Sequence, residues 1–181
     1  MFENIENIEW DRIRTAENNA SGIPSALRGL VSDDPEISES SYWKLDNHIV
    51  RQSDLYEAAY YVVPFLLEIV NASLHLGKAY AYDLLYEIAN GYAPADQICL
   101  HNGIEFTLSD SCRKAVESGV EIYFSEIIDT SSTERRKALE LLVSLGKYER
   151  SILPRLKELL TTEEDPEFKS LLRESVSELT D

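Results

Sequence analysis

"YYVVPFLLEIV", residues 60–70, is the most apolar run in the chain, and Pro64 stands in its middle. Inside a helix a proline removes one backbone hydrogen bond and its ring crowds the carbonyl four residues earlier, at a cost of about 3 kcal/mol. The same defect recurs. Under "VVPFLLEIV" (62–70), "ILPRLKELL" (152–160) sets Pro154 against Pro64, Leu156 against Leu66 and Glu158 against Glu68. "VEIYFSEII" (120–128) fits the frame with Ile122, Phe124 and Glu126 in the three places, and "GIPSALRGL" (22–30) fits it more loosely through Ile23, Pro24 and Leu27. Periodic prolines of this kind predict a kink or break in the first helix of each repeated pair, which would tilt successive pairs.

A second motif follows at matching distance. Asp34-Pro35-Glu36 and Asp165-Pro166-Glu167 come 10 and 11 residues after Pro24 and Pro154. An Asp cap accepts from a free backbone N–H, a Pro in the first turn loses no helical bond, and a Glu there suits the helix dipole, so each triplet predicts the start of a second helix. Apolar residues three and four apart in "LYEAAYYVV", "AYDLLYEIA", "KALELLVSL" and "FKSLLRESVSEL" carry the helical period, with a stop at Gly91. Strand signals are scarce, and an all-α chain of about nine helices is expected.

A first helix with Pro before aliphatic pairs, an acidic turn, and a second helix with Arg136, Ala138, Leu141, Leu142 and Leu145 resembles the HEAT/armadillo-like α-helical repeat. The resemblance implies a right-handed α-α superhelix, a solenoid, of about four helix pairs in a single domain. The repeats would span 23–53, 54–91, 111–146 and 147–181. Residues 1–22 would form an N-terminal cap, with a capping helix over 4–16, and 92–110 a long inserted loop in which "IEFTL" alternates well enough for a hairpin arm. In such arrays the concave surface commonly binds another protein.

Charge narrows the partners. The chain carries 33 acidic and 17 basic residues, a net of −16. That surface repels phosphate backbones, which argues against nucleic acid, and it fits a basic protein partner. No apolar run reaches membrane-spanning length and the N-terminus is acidic, so a cytoplasmic protein is expected, with Cys99 and Cys112 as unpaired thiols.

Chemistry-bearing constellations are sparse. His48 and Arg51, three apart, would share a helical face in a polar network, and His75 would sit in a short turn. Cys99, His101 and Cys112 never close into a zinc spacing, and no phosphate loop or nucleophile elbow is present. No catalytic, cofactor or metal residue is therefore assigned. Tyrosine stands out instead: seven of ten fall within 56–92. Tyr56 with Tyr60, and Tyr82 with Tyr86, are four apart and would share helical faces. With Asp83, Glu87, Asp96 and Glu105 they make the expected partner-binding surface, against the competing reading of tyrosines packed between helices.

The leading expectation is a non-enzymatic binding module. Small acidic proteins of this kind resemble bacterial immunity proteins, which block a cognate toxin, often a nuclease, by covering its positively charged active site. The alternatives are a HEAT-like DNA glycosylase or lyase, which would need a basic groove, and a general intracellular scaffold or adaptor. For the groove the sequence offers only a locally basic stretch holding Arg135, Arg136, Lys137, Lys147, Arg150, Arg155 and Lys157.

Overall fold

The computed structural model describes residues 1–72, 77–94 and 97–180. The chain is mostly α-helical. Among the described residues nine α-helices alternate with four short strands, and the backbone divides into two compact units, 1–118 and 119–181. The division falls inside the span expected for a third repeat.

Unit 1 begins with residues that periodicity assigns to a capping helix. They form instead two 3₁₀ turns, Ile5–Asn7 and Trp10–Arg12, separated by extended backbone at Ile8 and closed by extended backbone at Ile13. The cause is tertiary. Phe2 and Trp10 pack on Phe65 with ring centroids 5.8 and 6.1 Å away, and the Trp10 indole donates to the Ile5 carbonyl at 2.7 Å. Burying Phe2, Ile5, Trp10 and Ile13 together needs irregular spacing, and that burial outweighs helical propensity.

Helix α1 (Ile23–Leu30) packs on α2 (Pro35–Ile49), and the buried Ser38 hydroxyl donates to the Leu30 carbonyl at 2.8 Å. Asp34 caps α2 as its sequence predicts, accepting from the Glu36 amide at 2.9 Å. Helix α2 then turns directly into a two-residue hairpin, β1 (Val50–Arg51) with β2 (Asp54–Leu55). Gln52 and Ser53 make its turn with φ of 53° and 68°. Arg51 is therefore a strand residue and shares no helical face with His48, which lies in the last turn of α2.

Helix α3 (Glu57–Val70) runs unbroken through Pro64 and packs on α4 (Lys78–Asn90). The expected break is absent. Nor do the prolines occupy equivalent places: Pro64 is interior, whereas Pro24 and Pro154 sit in the first turns of their helices, where the missing N–H has no helical acceptor to lose. Helix α4 stops at Gly91, where a Cβ would stand 2.7 Å from Leu55 Cγ, so that glycine allows the close approach of Leu55.

The long loop contains a hairpin, β3 (Ile98–His101) with β4 (Ile104–Thr107), turned by Asn102-Gly103 with φ of 51° and 79°. It leads into α5 (Leu108–Glu117), which packs on α3 and α4. Thr107 caps α5: its hydroxyl accepts from the Asp110 amide at 3.1 Å and donates to the Asp110 carboxylate at 2.9 Å.

Unit 2 holds α6 (Val120–Ile128), α7 (Arg135–Gly146), α8 (Ile152–Thr162) and α9 (Pro166–Glu178). Helix α7 packs on each of the others, and α8 packs on α9. Asp165 caps α9 by accepting from Glu167 at 2.9 Å. Among the described residues no helix is long and apolar enough to cross a membrane.

Candidate functional site

Helices α2 and α4 bring acidic and aromatic side chains from distant parts of the sequence together. On α2, Tyr42 and Asp46 are one turn apart; on α4, Tyr80, Asp83 and Glu87 follow the three-and-four spacing of a single face. The rings of Tyr42 and Tyr80 stack with centroids 4.8 Å apart and planes 22° apart. Trp43 meets Tyr42 edge-on at 4.9 Å and remains 53% exposed.

The carboxylates make themselves felt in the titration of their neighbours. Burial, followed by the charges of Asp46, Asp83 and Glu87, pushes the Tyr42 phenol up to about 12. Glu87 is itself raised, first by burial and then by Asp46 and Asp83, and burial raises Asp46. Asp46 and Asp83 thus lie close enough to Glu87 to oppose its ionisation. A negative field beside aromatic faces suits a lysine or arginine side chain, which gains Coulomb attraction and a cation–π contact together.

Of the expected binding residues, Asp83 and Glu87 belong to this cluster, and Tyr86 stands beside it in α4 with 42% exposure. Tyr82 does not face a partner. It is 1% exposed, because four residues advance a helix by about 40° beyond a full turn and carry Tyr82 into the core while Tyr86 stays outside. Tyr56 is the N-cap of α3, with φ of −113° and ψ of 158°, so it shares no helical face with Tyr60. Tyr60 joins another group, its hydroxyl 3.4 Å from His101 Nδ1 and its ring edge-on to that imidazole. Glu105 is exposed on β4, opposite Leu100. Asp96 and His75 lie outside the described residues.

Tyr42, Trp43 and Asp46 were missed by sequence reasoning. Their signal was available as an aromatic-aromatic-x-x-acid spacing on α2, but nothing local says that α4 packs beside it.

His48 takes a structural part, its Nδ1 2.7 Å from the Lys44 carbonyl and its Nε2 3.5 Å from Glu17. Both Cys99, half-buried, and Cys112, buried, are unpaired thiols. Among the described residues no group of three or more His, Cys, Asp or Glu is placed to hold a metal ion.

Several bases of the locally basic stretch are tied to acids. Arg135, buried, pairs with buried Glu163 at 2.5 Å, donates to the Ile127 carbonyl at 2.8 Å and lies over the Phe168 ring at 3.7 Å. Arg155 grips both oxygens of Glu121 at 2.5 and 3.0 Å over the Phe124 ring, and Lys147 pairs with Glu178 at 3.1 Å. No family model matches this sequence, and no curated protein matches it.

Proposed function

We propose that the chain is a non-enzymatic protein-binding module whose surface between α2 and α4 receives a lysine or arginine from a basic partner. The observation that carries this reading is the joining of Asp46, Asp83 and Glu87 to a Tyr42–Tyr80 stack flanked by exposed Trp43. Aromatic anchors at the centre of an interface supply most of its energy, and surrounding charge sets its approach rate and its choice of partner.

The architecture fitting this role is a short HEAT-like superhelix, and consecutive packing of α1 with α2, α3 with α4, α6 with α7, and α8 with α9 supports it. A basic partner for an acidic cytoplasmic protein agrees with an immunity protein that occludes the active site of a cognate nuclease-like toxin. The pairing of Arg135 and Arg155 with carboxylates removes two cations from the groove a glycosylase or lyase would need.

The test is affinity capture from the native host with the wild-type chain and with Trp43→Ala and Glu87→Lys. A basic protein that is retained by the wild type, released at high salt and lost by both variants supports the proposal. An acidic partner, or one retained equally by both variants, overturns it; a basic partner that is no toxin supports the adaptor form.

A further inference from the structure

The interior proline of α3 faces a groove. Ile8, Tyr60, Pro64, Leu67, Glu68 and His101 are among the residues lining an open cavity of about 470 Å³ within unit 1, a volume suited to a small molecule. Its walls come from the first N-terminal 3₁₀ turn and its flanking residues, α3, the tip of the second hairpin and the end of α5.

Two polar features give this apolar groove a chemical preference. Tyr60, Pro64 and Glu68 are successive residues on one face of α3, each four apart. Because Pro64 has no N–H, the Tyr60 carbonyl is deprived of the donor that every interior helical carbonyl normally receives. Glu68 adds a carboxylate whose Oε2 accepts from the Phe2 amide at 2.6 Å, and it has a second oxygen to offer. Among the described residues lining the groove, Glu68 is the sole Asp, Glu, Lys or Arg. Part of the remaining polar wall is a chain of contacts: the Tyr60 hydroxyl lies 3.4 Å from His101 Nδ1, and Asn102 Nδ2 lies 3.2 Å from His101 Nε2.

We propose that the groove is a binding site for a small organic cation, an apolar body laid over Ile8, Pro64 and Leu67 with a primary ammonium group that pairs with Glu68 and donates to the Tyr60 carbonyl. The proline is then part of the recognition, since a helix without it would have no backbone acceptor to give. This site is independent of the protein-binding surface on α2 and α4.

The full chain, ¹⁵N-labelled, is titrated with phenethylamine, 2-phenylethanol and phenylacetate, three probes alike in body and different in head group. Phenethylamine is expected to shift the amides of Leu67, Asn102 and Ser118 and to bind roughly tenfold tighter than the alcohol, the margin of one charge-assisted hydrogen bond, with phenylacetate weakest. Glu68→Gln keeps an acceptor for the Phe2 amide and removes the charge; it should lower the amine to the affinity of the alcohol. Pro64→Ala returns an N–H to the Tyr60 carbonyl in a helix that stays folded, and should weaken the amine severalfold. Equal binding of amine and alcohol or phenylacetate overturns the proposal, as do unchanged affinity in either variant, shifts confined to Trp43 and Glu87, and no shifts at all.

Discussion

The two units handle charge in opposite ways. Unit 1 has 19 acidic and 8 basic residues, a net of −11, and crowds Asp46, Asp83 and Glu87 around Tyr42. Unit 2 has 14 acidic and 9 basic residues, a net of −5, and ties Arg135, Lys147 and Arg155 to carboxylates. Their prolines divide the same way, interior in α3 and in the first turn of α8. Like charges held together and a proline inside a helix both oppose folding. Both devices are present in unit 1, the proline inside α3 and the acids around Tyr42.

The largest expected effect lies in unit 2. Arg135 and Glu163 have side chains only 8% and 4% exposed, so Arg135→Ala strands a buried carboxylate and should cost about 3–5 kcal/mol of unfolding free energy in urea titration. Replacing both partners, Arg135→Met with Glu163→Leu, removes the charges together and should recover most of that loss. A single variant as stable as wild type would break the claim that unit 2 is held by paired charge.

Pro64 and Pro154 sharpen the comparison at smaller scale. Pro64→Ala restores a helical hydrogen bond and relieves a steric clash, worth about 3 kcal/mol, but frees the unfolded chain by up to about 1 kcal/mol. A net gain of about 2 kcal/mol is expected. Pro154→Ala has no helical bond to restore and should leave stability unchanged or slightly lower. Equal effects at the two sites would mean that the aligned prolines are equivalent after all, contrary to their places in the helices.

How far these features were legible depended on how local their causes are. Asp34 and Asp165 were readable as caps because a cap needs only three consecutive residues. The hairpin arm over Ile104–Thr107 was legible from alternation, and Asn102-Gly103 fixes its turn. Helix α5 was overlooked although Thr107 and Asp110 carry the spacing of a capping box. The Val50–Leu55 hairpin gave less notice, since Gln52 and Ser53 hold positive φ without a glycine. The N-terminal turns were misread because Phe65, far along the chain, decides where Phe2 and Trp10 must lie. The binding cluster was half visible for the same reason: Asp83 and Glu87 share a helix, but Tyr42 and Asp46 arrive from another.

Acid should separate the two units by the direction of its effect. Glu163 is buried, which alone would raise its pKa, but hydrogen bonds from the Asp165 amide and Arg135 outweigh burial and hold it below the ordinary value. Its contribution is complete above its unfolded value of about 4.3 and is lost as pH falls through the lower folded value. Glu87 is raised by burial and by Asp46 and Asp83, so its ionised form opposes folding, and that penalty is relieved as pH falls through the raised folded value toward about 4.3. Between neutrality and about pH 4.3, therefore, hydrogen-exchange protection should rise modestly in α2 and α4 while α7 keeps its own. Below that, α7 should lose protection as Glu163 takes up its proton. Glu87→Gln should diminish the rise in α2 and α4, leaving the part due to Asp46, which burial also raises, and should leave the loss in α7 intact, because Glu87 and Glu163 act within separate units. A rise that survives Glu87→Gln undiminished would show that the crowding of acids around Tyr42 opposes nothing, and that unit 1 is no more strained by its charges than unit 2.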